Sequence, residues 1–277
     1  MAEVHLDVAV LSATNQPIRG LSLEAFRLFD EGVEQKLTAL RAEEQPLDVL
    51  LLFDVSTSMR THVQKLADAA AQAFRELRDG DRVAVMSFTT STKLHQGFTS
   101  DRKLALEGVG AVLSERFRGG THILAAVDDA AKLLLGTPRD NTRRRAVVVV
   151  TDNVGIRTRR ESNVVTKLWE ADAVACALLV PKASRVGGGV IGLAMGAGVN
   201  GITEKTGGVL VRTDKDSGGE PLAEMLRRLR QRYSLYYAMP SNVKAGEKRT
   251  VRVTLSDVAK QDHPGATVSV RKGYAVQ

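Results

Sequence analysis

Asp54-Val55-Ser56-Thr57-Ser58 sets a carboxylate and two hydroxyls at alternate positions, directly after the apolar run 47–53. Gly119-Gly120-Thr121 adds a third hydroxyl beside two glycines, whose missing Cβ atoms permit close backbone approach. Asp152 follows a second apolar run, 146–150, through Thr151. Asn153 comes next, a residue that tolerates the left-handed backbone of a sharp turn. Hard oxygen donors, two of them anionic, suit Mg²⁺, Mn²⁺ or Ca²⁺. Ser and Asp at a strand end are also ordinary helix caps, so the case for a metal rests on the three pieces together.

Other chemistry has less support. Cys176 is the one cysteine, which excludes an intrachain disulfide and a Cys-rich zinc site; within the apolar run 174–180 it reads as a small buried hydrophobe. His5, His62, His95, His122 and His263 show no zinc-motif spacing. His62 and His122 adjoin the hydroxyl-bearing segments, and His122 reads as a partly exposed helix start; neither takes a role. A P-loop and a Gly-x-Ser-x-Gly nucleophile elbow are both missing. Gly187-x-Gly189-x-x-Gly192 fits the dinucleotide fingerprint in form, but no clear amphipathic helix follows it, and residues 187–198 read as a flexible loop.

The elements that must position the oxygen donors alternate. Residues 47–53, 83–86, 146–150 and 174–180 are near-continuous apolar runs, as expected of strands buried on both faces of a parallel sheet. Val63, Leu66, Ala70 and Phe74 keep a helical period, as do Ile123, Leu124, Val127, Ala131 and Leu134, and Leu222, Met225, Leu226 and Leu229. The order predicts a doubly wound, mostly parallel α/β sheet. In such sheets ligands bind beyond the carboxyl ends of the strands, where Asp54 and Asp152 fall. Both ends of the chain alternate instead: Val4, Leu6, Val8 and Val10 at one, residues 233–238, 250–255 and 267–271 at the other. Neither end has enough strands for a core of its own, so they are expected to pair into one small antiparallel β-sandwich. The expected division is 1–45 for the N-terminal β segment, 46–232 for the α/β domain and 233–277 for the C-terminal β segment.

With 43% hydrophobic and 26% charged residues, a folded globular chain is expected. No run of about 18 apolar residues is present, so no membrane span is expected. Met1-Ala2-Glu3-Val4 does not open a signal peptide. Lys and Arg number 39 against 32 Asp and Glu. The excess gathers at Arg143-Arg144-Arg145, at Arg157 with Arg159-Arg160, and in residues 227–232. These clusters read mainly as solvated surface, with an acidic partner as the second reading. Aromatics are only 4%, which leaves no stacking platform, and nucleic acid is not expected.

Asp-x-Ser-x-Ser after a first strand, a later Gly-Gly-Thr and a Thr-Asp pair after a central strand resemble the metal-ion-dependent adhesion site of von Willebrand factor type A (VWA) domains, over roughly residues 45–235. The flanks, among them Thr206-Gly207-Gly208, Tyr233-Ser234-Leu235-Tyr236-Tyr237 and Arg271-Lys272-Gly273-Tyr274, are similar to the bacterial, acidobacterial-type VWFA-related family, whose members are often predicted to be exported. The resemblance implies a Rossmann-like VWA fold and a metal held through the hydroxyls of Ser56, Ser58 and Thr121, with Asp54 and Asp152 acting directly or through water. It implies a protein partner that fills an open position on the ion with an Asp or Glu carboxylate, and binding rather than catalysis. Export is implied too, by a signal peptide this chain does not include. Asn153 departs from the glycine common at that position. Two alternatives stand beside this reading. One is a Mg²⁺-dependent phosphotransferase using Asp54 as nucleophile, which needs a second Asp where this chain has Ser56. The other is a structural VWA module without a working metal site. The sequence leaves the oligomeric state open.

Overall fold

The computed structural model describes residues 3–42, 45–138, 140, 142–181, 198–213, 220–241 and 243–276. Gly187 to Ala197 of the glycine-rich segment lie outside the described residues. The chain opens with β1 (Glu3–Leu11), β2 (Phe26–Asp30), β3 (Val33–Gln35) and β4 (Leu37–Arg41). Then β5 (Leu47–Asp54), α1 (Arg60–Ala73), β6 (Arg82–Phe88), β7 (Thr92–Thr99), α2 (Arg102–Leu113), α3 (Ile123–Leu135) and β8 (Arg144–Thr151) follow. After α4 (Glu161–Glu170), β9 (Ala173–Leu179), α5 (Asn200–Thr206), β10 (Leu210–Arg212) and α6 (Glu220–Arg230), the chain closes with β11 (Tyr233–Ala238), β12 (Lys248–Leu255), α7 (Asp257–Asp262), β13 (Thr267–Ser269) and β14 (Gly273–Ala275).

The central sheet runs β10-β9-β8-β5-β6-β7, parallel except for β7, which returns antiparallel beside β6. Every residue of β5 and β8 is buried, the apolar ones as their near-continuous runs require, while Asp48 is paired with Arg82 and Arg143. One face packs on α1, α2 and α6 through Val63, Leu66, Ala70, Val109 and Leu226. The other packs on α3, α4 and α5 through Ile123, Val127, Leu134, Val164 and Ile202. The chain steps from β5 to β6 on one side and later returns to β8 on the other, so the switch point of the sheet lies between β5 and β8.

The two ends of the chain interleave in two antiparallel four-stranded sheets, β13-β1-β11-β4 and β14-β12-β2-β3. β1 lies along β11 with Leu6 opposite Leu235, and β2 along β12 with Leu28 opposite Val253. Leu6, Leu28, Leu235, Tyr237 and Val253 share one core. Inside it, the Tyr237 and Tyr274 hydroxyls both donate to Asp30 Oδ2, each at 2.9 Å. Arg249 Nε reaches the other Asp30 oxygen at 2.9 Å. The flanking signature therefore has a packing reason. Gly207 (φ 71°) caps α5 in the left-handed region, with its Cα so close to Val270 that a Cβ would lie 2.4 Å from the Val270 carbonyl carbon. A Cβ on Gly208 would sit 1.9 Å from the Ala175 carbonyl oxygen, and Thr206 Oγ1 accepts from Ala175 N at 2.9 Å.

Two arginine clusters are not the solvated surface their composition suggests. Arg144, Arg145, Arg230 and Arg232 are each at most 5% exposed. Arg144, at the start of β8, donates to Asp7 Oδ1 (3.1 Å), the carbonyls of Arg230 (2.7 Å) and Arg232 (2.8 Å), and Ser234 Oγ (3.2 Å). Arg145 serves the carbonyls of Leu134 and Pro138, and Arg230 grips Asp81 at 2.5 Å. A guanidinium has five donors in a fixed fork, which allows it to satisfy several buried carbonyls where elements converge. Asp7 belongs to β1 and Ser234 to β11, so Arg144 ties the antiparallel sheets to the amino end of the parallel strands. Arg157, Arg159 and Arg160 are exposed, as expected. Cys176 is fully buried and accepts from Val209 N at 3.2 Å; burial pushes its thiol up to about 11. Among the described residues no helix is long and apolar enough to cross a membrane.

Candidate metal centre

Asp54 is the last residue of β5, and Thr151 the last of β8. Parallel pairing sets Phe53 beside Val150, so both chains leave the sheet side by side at the switch point. The turn after β5 is drawn over the sheet by Val55 N, which donates to Phe88 O at the end of β6 (3.0 Å), and by Val55 O, which accepts from Arg118 N (3.2 Å). Ser56 precedes a short 3-10 turn, Thr57–Met59, that leads into α1.

Four of the five oxygen-bearing side chains form one chain of contacts. Asp54 Oδ1 accepts from Ser56 N (2.9 Å) and Oδ2 from Thr151 Oγ1 (2.7 Å). Ser56 Oγ lies 3.4 Å from Ser58 Oγ, which donates to Asp152 Oδ2 at 2.8 Å. Asp152 Oδ1 accepts from Val154 N (3.1 Å). Thr121 is brought in by backbone contacts: its carbonyl accepts from Ile156 N (2.8 Å), and His122 N donates to Thr89 O (2.9 Å). The loop before α3 therefore lies against both the β8 turn and the β6 turn. Gly120 has φ 94°, and a Cβ there would meet Thr90 Cγ2 at 2.8 Å, so this glycine serves the close approach. His122 is the half-buried N-terminal boundary residue of α3.

Asn153 sits at φ 61°, the left-handed conformation expected of it. Its amide N donates to Thr151 Oγ1 (3.1 Å), and its side-chain Oδ1 accepts from Val199 N (2.8 Å). That second bond gives Asn a task glycine could not perform. Thr151, read from the sequence only as half of a Thr-Asp pair, is the residue that fixes Asp54. A hydroxyl at the buried end of a β-strand, where an apolar side chain would be ordinary, was the signal for it.

The donor set can be tested against a hard dication. Asp54 is fully buried, and Ser56, Thr121 and Asp152 are nearly so. Burial, with Asp152 adding repulsion, pushes the Asp54 carboxyl up to about 6 against the hydrogen bonds that favour its ionised form. Neither Asp54 nor Asp152 forms a salt bridge with a lysine or arginine among the described residues. Among those residues no group of three or more His, Cys, Asp or Glu is placed to hold a metal, so any site here must draw on hydroxyls. Two buried carboxylates with no lysine or arginine partner, joined through the Ser56 and Ser58 hydroxyls, fit a hard cation.

Residues 49–155 match the family model of the von Willebrand factor type A domain, a span that contains all five oxygen-bearing residues. Over that span the chain is similar to this family. Among solved structures, an aerotolerance-related membrane protein from Bacteroides fragilis is similar at 18% identity and TM-score 0.52, covering 66% of this chain and 98% of that one. BatB from Bacteroides thetaiotaomicron is similar at 17% identity and TM-score 0.52, with the same coverage. A von Willebrand factor type A structure from Catenulispora acidiphila, at 12% identity and TM-score 0.50, covers 99% of this chain and 74% of that one. At these identities the likeness is one of fold. No curated protein matches the chain.

Proposed function

We propose that the chain is a protein-binding module that takes up one divalent cation, Mg²⁺ or Mn²⁺ foremost and Ca²⁺ as the third candidate, and grips a partner's Asp or Glu carboxylate through it. The observation that carries this reading is the hydrogen-bonded set of Asp54, Ser56, Ser58 and Asp152 at the switch point, where two buried carboxylates lack a lysine or arginine partner. Ser56, Ser58 and Thr121 would hold the ion through hydroxyls, with Asp54 and Asp152 directly or through water. Hydroxyl ligands add no charge, so such a site leaves the cation electrophilic toward a further anionic oxygen. In a partly dehydrated setting that attraction far exceeds its value in water. Export of the chain, implied by the sequence resemblance, belongs to the same reading.

Catalysis is less well supported. An aspartyl phosphotransferase needs a carboxyl two residues after its nucleophile, and this chain has Ser56 there. Both Asp54 oxygens already accept hydrogen bonds from neighbours that fix them in place. The test is calorimetric titration of Mg²⁺ and of Mn²⁺ into chelator-treated protein and into Asp54→Ala. Saturable uptake by the wild type that disappears in the variant is expected. No uptake by either protein would overturn the reading and favour a structural module.

A further inference from the structure

The three loops that supply the oxygen donors are unusually one-sided in charge. Residues 55–62, 116–122 and 153–160 together contain six arginines and two histidines but no aspartate or glutamate. Their backbones are held against one another. Arg118 N bonds Val55 O, and Ile156 N bonds Thr121 O. Arg60, two residues past Ser58, lays its guanidinium over Phe117 of the second loop, 5.3 Å from the ring centroid. Arg60, Arg118, Arg159 and Arg160 are all exposed, in contrast to the buried arginines at the opposite edge of the sheet. Val154 is 38% and Ile156 60% exposed within the same rim. Of the carboxylates next to these segments, Glu115 is paired with Lys93 at 2.5 Å, Glu161 with Lys205 at 2.7 Å, and Asp54 and Asp152 are buried.

Building on the metal-dependent reading above, we infer that the partner presents an acidic segment of protein, with further Asp or Glu residues next to the metal-binding carboxylate and an apolar side chain among them. The coordinating carboxylate goes to the cation. Its acidic neighbours reach the arginine rim, and the apolar residue covers Ile156. Arginine suits this role because its planar fork pairs with a carboxylate through two parallel bonds. Charges on an exposed rim act mainly on encounter rate and partner choice and weaken with salt, whereas an exposed isoleucine gains by being covered. A single carboxylate on the metal cannot by itself select among partners; the rim supplies the selection.

The test is to pan a displayed library of random heptapeptides against the whole chain in Mg²⁺. The selected peptides are expected to carry two or more acidic residues with an apolar neighbour. A synthetic copy of the leading peptide is expected to bind Arg118→Gln/Arg159→Gln/Arg160→Gln at least tenfold more weakly, while calorimetry finds Mg²⁺ uptake by that variant unchanged. Selection of peptides with one acid or none, or equal binding by the variant, would overturn the inference. So would Mg²⁺-independent binding of duplex DNA as tight as that of the peptide, which would make the rim a general polyanion surface. Acid-rich peptides selected equally well in chelator would overturn the metal-dependent reading and leave the arginine rim as the binding determinant.

Discussion

Asp54→Asn should make the metal-free protein more stable and at the same time remove its response to Mg²⁺. The wild-type carboxyl stands at about 6 instead of 3.8, chiefly because it is buried. A carboxyl raised in the folded state binds its proton more tightly there than in the unfolded chain. The folded state therefore loses stability as the pH climbs from about 4 to about 6, and carries the full cost above that. The difference between 3.8 and about 6 corresponds to about 3 kcal/mol. Asparagine has nearly the same shape. Its Oδ1 can keep the bond from Ser56 N, and its amide can donate to Thr151 Oγ1 once that hydroxyl rotates, so little packing is lost. Urea denaturation of chelator-treated protein is expected to show the variant gaining on the wild type between pH 4 and 6, then leading by roughly 1–3 kcal/mol at pH 8. Saturating Mg²⁺ at about a hundred times its Kd should return about 2.7 kcal/mol to the wild type and nothing to the variant. A variant less stable than the wild type at pH 8, or a gap that ignores pH, would refute the reasoning that an unpaired buried carboxylate strains the empty site.

Three other outcomes follow from the same contacts. Arg144→Met removes the guanidinium that holds the half-buried Asp7 carboxyl well below its usual range against the opposing effect of burial; urea melts should register a loss of about 3 kcal/mol, and a loss under about 1 kcal/mol would contradict it. Asn153→Val forces a β-branched residue to φ 61° and deletes the bond to Val199 N, so it should cost at least about 1–2 kcal/mol in thermal unfolding and weaken Mg²⁺ uptake, whereas Asn153→Gly keeps the backbone and loses only the side-chain bond. Burial pulls His5 down, but Asp7 and Asp172 together outweigh it and raise the imidazole to about 9. The stability due to its protonation is thus full below pH 6.5 and disappears as the pH rises through 9. Comparing His5→Gln with the wild type across that range should show their difference shrinking, and a constant difference would rule the effect out.

Much of the fold could be read in the chain because it rests on local, repetitive physics. Near-continuous apolar runs leading to Asp54 and Thr151 read as strands covered on both faces, and β5 and β8 are buried at every residue. Alternation at the two ends marks strands with one wet face, and β1 and β11 pair as that economy suggested. Asn153 could be assigned its left-handed turn from side-chain chemistry alone. Among the three-residue strands, β3 and β10 left too brief a pattern to recognise.

By itself the sequence determined which residues can offer oxygen to a hard cation, their order along the chain, and the alternation of strands and helices that carries them. Tertiary structure alone decided which charges are buried and which are free to meet a partner. Arg144 and Asp7 are 137 positions apart, and nothing in either neighbourhood distinguishes Arg144 from the exposed Arg160. The reason is physical: an arginine's side chain can extend into water or cap buried carbonyls, and only the convergence of distant elements settles which option has the lower free energy. The same convergence made Thr151 the anchor of Asp54, and gathered exposed arginines from three separate loops around one edge of the sheet.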